Sequence, residues 1–217
     1  MGARISTGKD SKQDYKTPAD FMASVVRRFG PITFDLAARD YNTQSPNYFA
    51  PCTGPEGPLP RDPKAVAMDS LEQPWAYMAT NRFRREGSKG LLWLNPEFGD
   101  IPTWATKCKE ESYHLGANIL MLSPASVGSN WFCDLIAGYA DVYLLKPRLS
   151  FIPGQLYNKD CMMAHYCYPE DRSFGPFRTP SMGPDGAFCS HLHRYISVWN
   201  WKTNVIEHVW STPYIIR

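Results

Sequence analysis

Apolar residues fall in short runs punctuated by Gly and Pro, and the spacing changes from run to run. Phe21, Val25 and Phe29 recur four apart, which is one face of a helix. Thr17-Pro18 suits its start, because proline's fixed φ fits a first turn, and Gly30-Pro31 stops it. Ile32-Thr33-Phe34-Asp35-Leu36 reads as a short buried strand that closes in the small residues Ala37-Ala38. Residues 41–67 are rich in Pro and Gly, more loop than element. A second apolar strand, Leu91-Leu92-Trp93-Leu94, halts at Asn95-Pro96. The pattern then predicts a helix over 101–115, a strand over 118–122, a helix over 130–139 and a strand over 141–145. Residues 153–187 are again loop-rich, and a last strand lies near 192–199. Strands alternating with helices predict an α/β domain built on a mainly parallel sheet. Residues 1–14 read as a mobile polar tail, and 15–217 as a single domain.

Composition narrows the class. The chain has 217 residues, 43% hydrophobic and 20% charged, enough for one domain with a sizeable core. With 23 Lys+Arg against 21 Asp+Glu, the formal charge is +2. The protein is no polybasic coat, so any contact with nucleic acid must rest on a local patch. No apolar run approaches the ~20 residues needed to span a bilayer, and the N-terminus has no signal-peptide pattern. The six Cys are scattered rather than framed in a short scaffold, which points to a reducing cytosol.

In open α/β sheets, ligands sit at the carboxyl ends of the strands. Two such ends here carry chemistry: Asp35 to Ala38 after the first strand, and Asn95-Pro96-Glu97-Phe98 after the second. An exocyclic amine on a nucleobase is a poor nucleophile, because its lone pair is delocalised into the ring. A site that alkylates it needs acceptors for both amine hydrogens, plus an aromatic plate for a base drawn out of its stack. The Asn95 amide oxygen, the Pro96 carbonyl and the Phe98 ring are groups of those kinds. An isolated Asn-Pro pair, by contrast, is an ordinary strand-ending turn.

The motif has company in order. Asp14-Tyr15-Lys16-Thr17-Pro18 comes first, then Phe29-Gly30-Pro31-Ile32-Thr33-Phe34-Asp35-Leu36-Ala37-Ala38, then Asp69-Ser70-Leu71 with Trp75. After the motif come Leu122-Ser123-Pro124-Ala125, Trp131-Phe132 and Arg148-Leu149-Ser150-Phe151. This series resembles the phage-type DNA N6-adenine methyltransferase family, the Dam-like enzymes of phages and prophages, from about Asp14 to Trp199. The resemblance implies a class I Rossmann-like methyltransferase fold with helices on both faces of the sheet. It also implies S-adenosylmethionine as donor, DNA as partner and the cytoplasm of a bacterial host as location. By the same resemblance Asn95, Pro96, Glu97 and Phe98 form the catalytic motif. The implied donor-binding residues are Tyr15, Thr17, Pro18, Asp35, Ala37 and Asp69: Thr17 and Pro18 line the donor's methionine end, Asp35 binds its amino or ribose part, and Asp69 suits its adenine amine. Glu97 departs from the family, which usually has a second proline there. It sets a carboxylate beside a site for a cationic sulfonium. N4 of cytosine suits the same motif, and a silenced relative that binds DNA or a partner protein is the reading from another class.

Two further segments bear on DNA. Residues 81–90 carry Arg82, Arg84, Arg85 and Lys89 around Phe83, a pattern suited to phosphates or to a solvated loop. Arg148 joins them as a candidate contact. Arg172 and Arg178, with Phe174 and Phe177, lie in the loop-rich 153–187 segment, the expected place for target recognition. Cys161, His165, Cys167, Cys189, His191 and His193 offer zinc's ligand types, which would suit a zinc-stabilised nucleic-acid-binding module. Their spacings match no standard finger, so the sequence assigns them no metal.

Overall fold

The computed structural model describes residues 16–54, 57–78, 90–167 and 194–212. In chain order its strands are β1 (Ile32–Asp35), β2 (Phe49–Ala50), β3 (Thr53–Gly54), β4 (Gly57–Pro58), β5 (Ala67–Met68) and β6 (Leu91–Leu94). They continue with β7 (Asn118–Pro124), β8 (Asp141–Lys146), β9 (Cys161–Tyr166), β10 (Arg194–Asn200) and β11 (Val205–Thr212). Seven of them form one sheet in the order β1-β6-β7-β9-β8-β10-β11. β1, β6, β7, β8 and β10 run one way, and β9 and β11 run against them. The sheet is therefore mixed and mostly parallel, and the fold is α/β. β2 pairs with β5 and β3 with β4 in two small ribbons within the stretch expected to be loop.

Helix α1 (Ala19–Phe29) forms as its pattern predicts. Phe21, Met22 and Val25 bury one stripe, Asp20 lies in the first turn, and Arg27 and Arg28 lie in the last, complementing the helix dipole. Gly30 ends it at φ 94°, in the left-handed region where a side chain would be strained. α1 packs on one face of the sheet with Trp93, Leu120, Leu122, Met163 and Trp199. On the other face, Ala105 and Cys108 of the second long helix pack with Leu92, Leu94, Ile119, Met121 and Trp75. The described helices thus cover both faces, and the central strands are buried on both sides.

That second helix, α3 (Ile101–Tyr113), follows directly from the loop that carries Asn95 to Phe98. A single helical turn, α2 (Trp75–Tyr77), packs against it. The Glu111 carboxylate, 6% exposed, pins them together. One oxygen accepts the Ala76 N–H at 2.9 Å and the other takes Lys107 Nζ at 3.1 Å. Lys107 in turn lies 5.1 Å from the Trp75 ring. Glu111→Ala strands a buried N–H and a half-buried ammonium, and is expected to cost about 3 kcal/mol. Chemical denaturation checks this: a loss under about 1 kcal/mol, the net worth of an ordinary hydrogen bond, would show that the contact is dispensable.

Two expectations need correction, and one strand was not foreseen. Residues 153–187 are not uniformly loop, because β9 runs through them as an interior strand between β7 and β8. Residues 130–139 do not make a regular helix. A widened turn, Phe132–Ile136, closes with the Ala137 N–H bonding back five residues to the Phe132 carbonyl at 2.8 Å. β11 was not expected at all, and it makes a hairpin with β10 at the sheet's edge.

Candidate active site

β1 and β6 are adjacent and parallel, with Asp35 opposite Trp93. Their carboxyl ends therefore open on the same edge of the sheet, and the two chemically loaded segments meet there. α1 runs back against these strands, so its start reaches the same edge. There the Asn95 Nδ2–H donates to Thr17 Oγ1 at 3.2 Å, across 78 residues of chain. Thr17 is 3% exposed and Pro96 is buried, so the contact is held from both sides. With the amide nitrogen tied to Thr17, the Asn95 side chain is left with Oδ1 as its acceptor. Pro18 begins the helix behind it.

Phe98 is half-buried and sits in a ring cluster. It meets Tyr157 at 6.0 Å and Phe151 at 6.4 Å, and those two meet each other at 5.3 Å, all near edge-to-face. A tight loop holds the two partners: the Tyr157 N–H donates to the Leu149 carbonyl, and the Ser150 hydroxyl lies 2.6 Å from the Ile152 carbonyl and 2.8 Å from that of Gln155, its one hydrogen serving either. A cavity of about 230 Å³ opens beside them, lined by Phe151, Ile152, Gln155, Leu156, Tyr157 and Asn158. Phe151 was singled out from the sequence, but Tyr157 was not, since nothing in its local pattern marks it. Glu97 is exposed on the loop between Pro96 and Phe98.

Asp35 is placed differently from a residue that greets a ligand. It is 2% exposed, and its oxygens accept the backbone N–H groups of Gln44 at 2.8 Å and Ala37 at 3.3 Å. Burial pushes its carboxyl up to about 7, against those two bonds, which favour the charged form. The carboxyl thus holds the loop that follows β1. Asp69 precedes a short turn, Ser70–Glu72, without capping it. Its carboxylate instead lies 3.3 Å from Cys52 Sγ, and its backbone is left-handed at φ 55°. A second cavity, of about 190 Å³, lies on the far side of β1 from β6. Arg39, Asp40 and Tyr41 of the loop after β1 line it, together with Asp62 and Met68.

Arg148 lies just past the end of β8, on the same edge of the sheet, and its Nε is 2.6 Å from Asp160. Its charge is already answered in this arrangement. Tyr15, Arg82, Arg84, Arg85, Arg172, Arg178, Cys189, His191 and His193 lie outside the described residues. His165 and Cys167 come together at the far end of β9, whereas Cys161 begins that strand. No family model, curated protein or solved structure matches the chain.

Proposed function

We propose that the protein is an S-adenosylmethionine-dependent DNA methyltransferase of class I Rossmann-like fold, acting on an exocyclic base amine, adenine N6 first and cytosine N4 second. The observation that carries this reading is the Thr17–Asn95 contact, which joins the Thr-Pro element to the Asn-Pro-Glu-Phe motif at one strand edge. Asn95 Oδ1 and the Pro96 carbonyl accept the two amine hydrogens, which turns the nitrogen lone pair outward. Phe98, braced by Phe151 and Tyr157, is the plate for the displaced base. Holding the nitrogen in line with the methyl carbon supplies most of the acceleration. The donor provides a methyl group already activated by its sulfonium, and water takes the amine proton.

The cavity on the far side of β1 is the candidate donor pocket: Asp40 and Asp62 line it together with Arg39, and Asp40 is paired with Lys64 Nζ at 3.0 Å, so shape and the neighbouring strand end rather than an unanswered negative charge recommend it. Asp35 serves by holding the loop that forms one wall. DNA is the partner, and a bacterial cytoplasm is the location this reading implies. Incubation with labelled donor and mixed DNA, followed by digestion to nucleosides, tests it. N6-methyladenine is the expected product, and no labelled nucleoside at any protein concentration overturns the reading in favour of the silenced relative. Two observations favour that second reading: the Asp35 carboxylate is committed to its own loop, and Glu97 stands where a proline is expected.

Glu97 separates the two further. Its carboxylate attracts the donor's sulfonium, a charge that fades as the methyl group moves. The attraction therefore helps donor binding more than rate. Because Glu97 is exposed, its removal is expected to weaken donor binding by no more than about fivefold, the worth of a roughly 1 kcal/mol exposed pair. Glu97→Pro and Glu97→Gln should both keep turnover at wild-type level or above. Loss of turnover in both would instead make Glu97 the base that takes the amine proton.

A further inference from the structure

The opposite edge of the sheet, where β8 starts and β9 ends, gathers a second set of reactive side chains. We propose that Asp141, His165 and Cys167 form a zinc site there, with water in the fourth position. The proposal stands apart from the methyl-transfer reading. α1 starts at Ala19, two residues past Thr17, and ends at Phe29, which packs on His165, so about 16 Å of helix separates the two places.

Strand register builds the cluster. Asp141 is directly opposite His165 in the antiparallel β8–β9 pair, so their side chains share a face. Cys167 follows His165 by two residues, and alternation returns it to that face. Ligand atoms of the three lie within 4.8 Å of one another. Bond lengths of roughly 2.0–2.3 Å put tetrahedral zinc ligands roughly 3.3–3.8 Å apart. The set therefore has to close by roughly 1 Å, within reach of Asp and Cys χ rotations. Carboxylate, imidazole and thiolate are also the donor types zinc prefers, and their two negative charges balance it.

The surroundings orient the set as a metal site needs. His165 Nε2 is 2.7 Å from Asn118 Oδ1, which orients the ring, and with the proton on Nε2 the proposed ligand nitrogen is Nδ1. The Phe29 ring packs on the imidazole at 5.5 Å, edge to face. The Tyr195 N–H donates to Asp141 Oδ1 at 3.1 Å, orienting the carboxylate. Arg194 is the opposing influence. Its guanidinium holds the Cys167 carbonyl at 3.0 Å and lies 3.8 Å from Sγ. As a cation it competes with the metal for that sulfur. Arg28, stacked on Phe29, Tyr143 and Trp199, is the other cation on this side.

The test uses the purified full chain and zinc alone, then cobalt as a spectroscopic substitute. After zinc loading and gel filtration, elemental analysis is expected to find one zinc per chain. Cobalt loading should give a near-ultraviolet thiolate charge-transfer band, which Cys167→Ser removes and Cys133→Ser, at an exposed cysteine, leaves intact. His165→Gln and Asp141→Asn should each weaken zinc binding at least about tenfold. Loaded wild type holding well under one equivalent, a cobalt complex without the thiolate band, or variants that bind as wild type does would overturn the site. Should the variants fail to fold, thermal melting of the wild type decides. A melting temperature that rises with zinc supports the site, and one indifferent to zinc overturns it.

Discussion

Asn95→Ala is expected to lower methyl transfer by roughly 10²–10³-fold while leaving donor binding unchanged, because in the proposed mechanism the amide acts on the acceptor amine rather than on the donor. That magnitude is typical for the loss of one preorganised hydrogen-bonding group at a reacting centre. Thr17 makes the prediction sharper. Its hydroxyl accepts from Asn95 Nδ2 at 3.2 Å, so it fixes which end of the amide is left for substrate. Thr17→Ser keeps an oxygen there and should retain most of the rate. Thr17→Val removes the acceptor at nearly constant volume and frees the amide to turn. It should lower the rate about tenfold, the worth of one charge-neutral hydrogen bond. Single-turnover transfer from labelled donor, with donor affinity measured separately by equilibrium dialysis, reads both effects. Transfer by Asn95→Ala within a few-fold of wild type would remove Asn95 from the chemistry. Equal rates for Thr17→Val and wild type would make their contact incidental.

Local pattern revealed the elements whose ends build this edge, and the reason is physical. α1 and β6 are bounded by Gly or Pro at both ends, and β1 starts at Pro31 and closes in the small residues Ala37-Ala38, so their limits follow to within a residue from short stretches of chain. β9 lacks every such signal. Cys161-Met162-Met163-Ala164-His165-Tyr166 has no β-branched residue. All but His165 are buried, so no polar alternation marks the strand. Only its neighbours β7 and β8 make it a strand. The widened turn at Phe132–Ile136 carries a helical pattern, and the pattern says nothing about which carbonyl each N–H will reach.

The sites differ in the same way. Asn95 and Phe98 stood out because Asn-Pro after an apolar strand is a local signal. Their partners Thr17, Phe151 and Tyr157 are brought to them by the fold, and only the first two belonged to a stretch the sequence had marked. Asp141 had no mark at all. Its place beside His165 depends on the β8–β9 register, which is a long-range quantity. Asp35 was legible as a strand-end carboxylate, yet its surroundings were not. Whether such a group faces a ligand or its own loop depends on where residues 37–44 fold back.

Asp35 also has the clearest consequence for stability. Between roughly pH 4 and pH 7 its carboxyl is protonated in the fold, where burial raises it to about 7, and ionised in the unfolded chain. The folded state then binds the extra proton, so stability falls as pH rises through this window. The slope is at most about 1.4 kcal/mol per pH unit from this one group. Below pH ~4 both states are protonated, and above the folded value both are ionised, so the contribution levels off at each end. Asp35→Asn has no proton to lose. It keeps an oxygen for the Gln44 N–H, the shorter of the two bonds, and sets an amide NH₂ near Ala37 instead. The variant should be the less stable protein near pH 4, where the neutral carboxyl fits, and should lose less as the pH rises. Denaturant unfolding of both proteins at half-unit steps from pH 4 to pH 8 gives the difference directly. Parallel curves across that range would mean that Asp35 ionises in the fold at its ordinary value. The loop after β1 would then be held by a carboxylate rather than by a carboxylic acid. Donor added at each pH supplies the functional half of the test. If the loop forms the donor's wall, added donor should stabilise the wild type by mass action, and Asp35→Ala, which unties the loop from both N–H groups, should lose that gain.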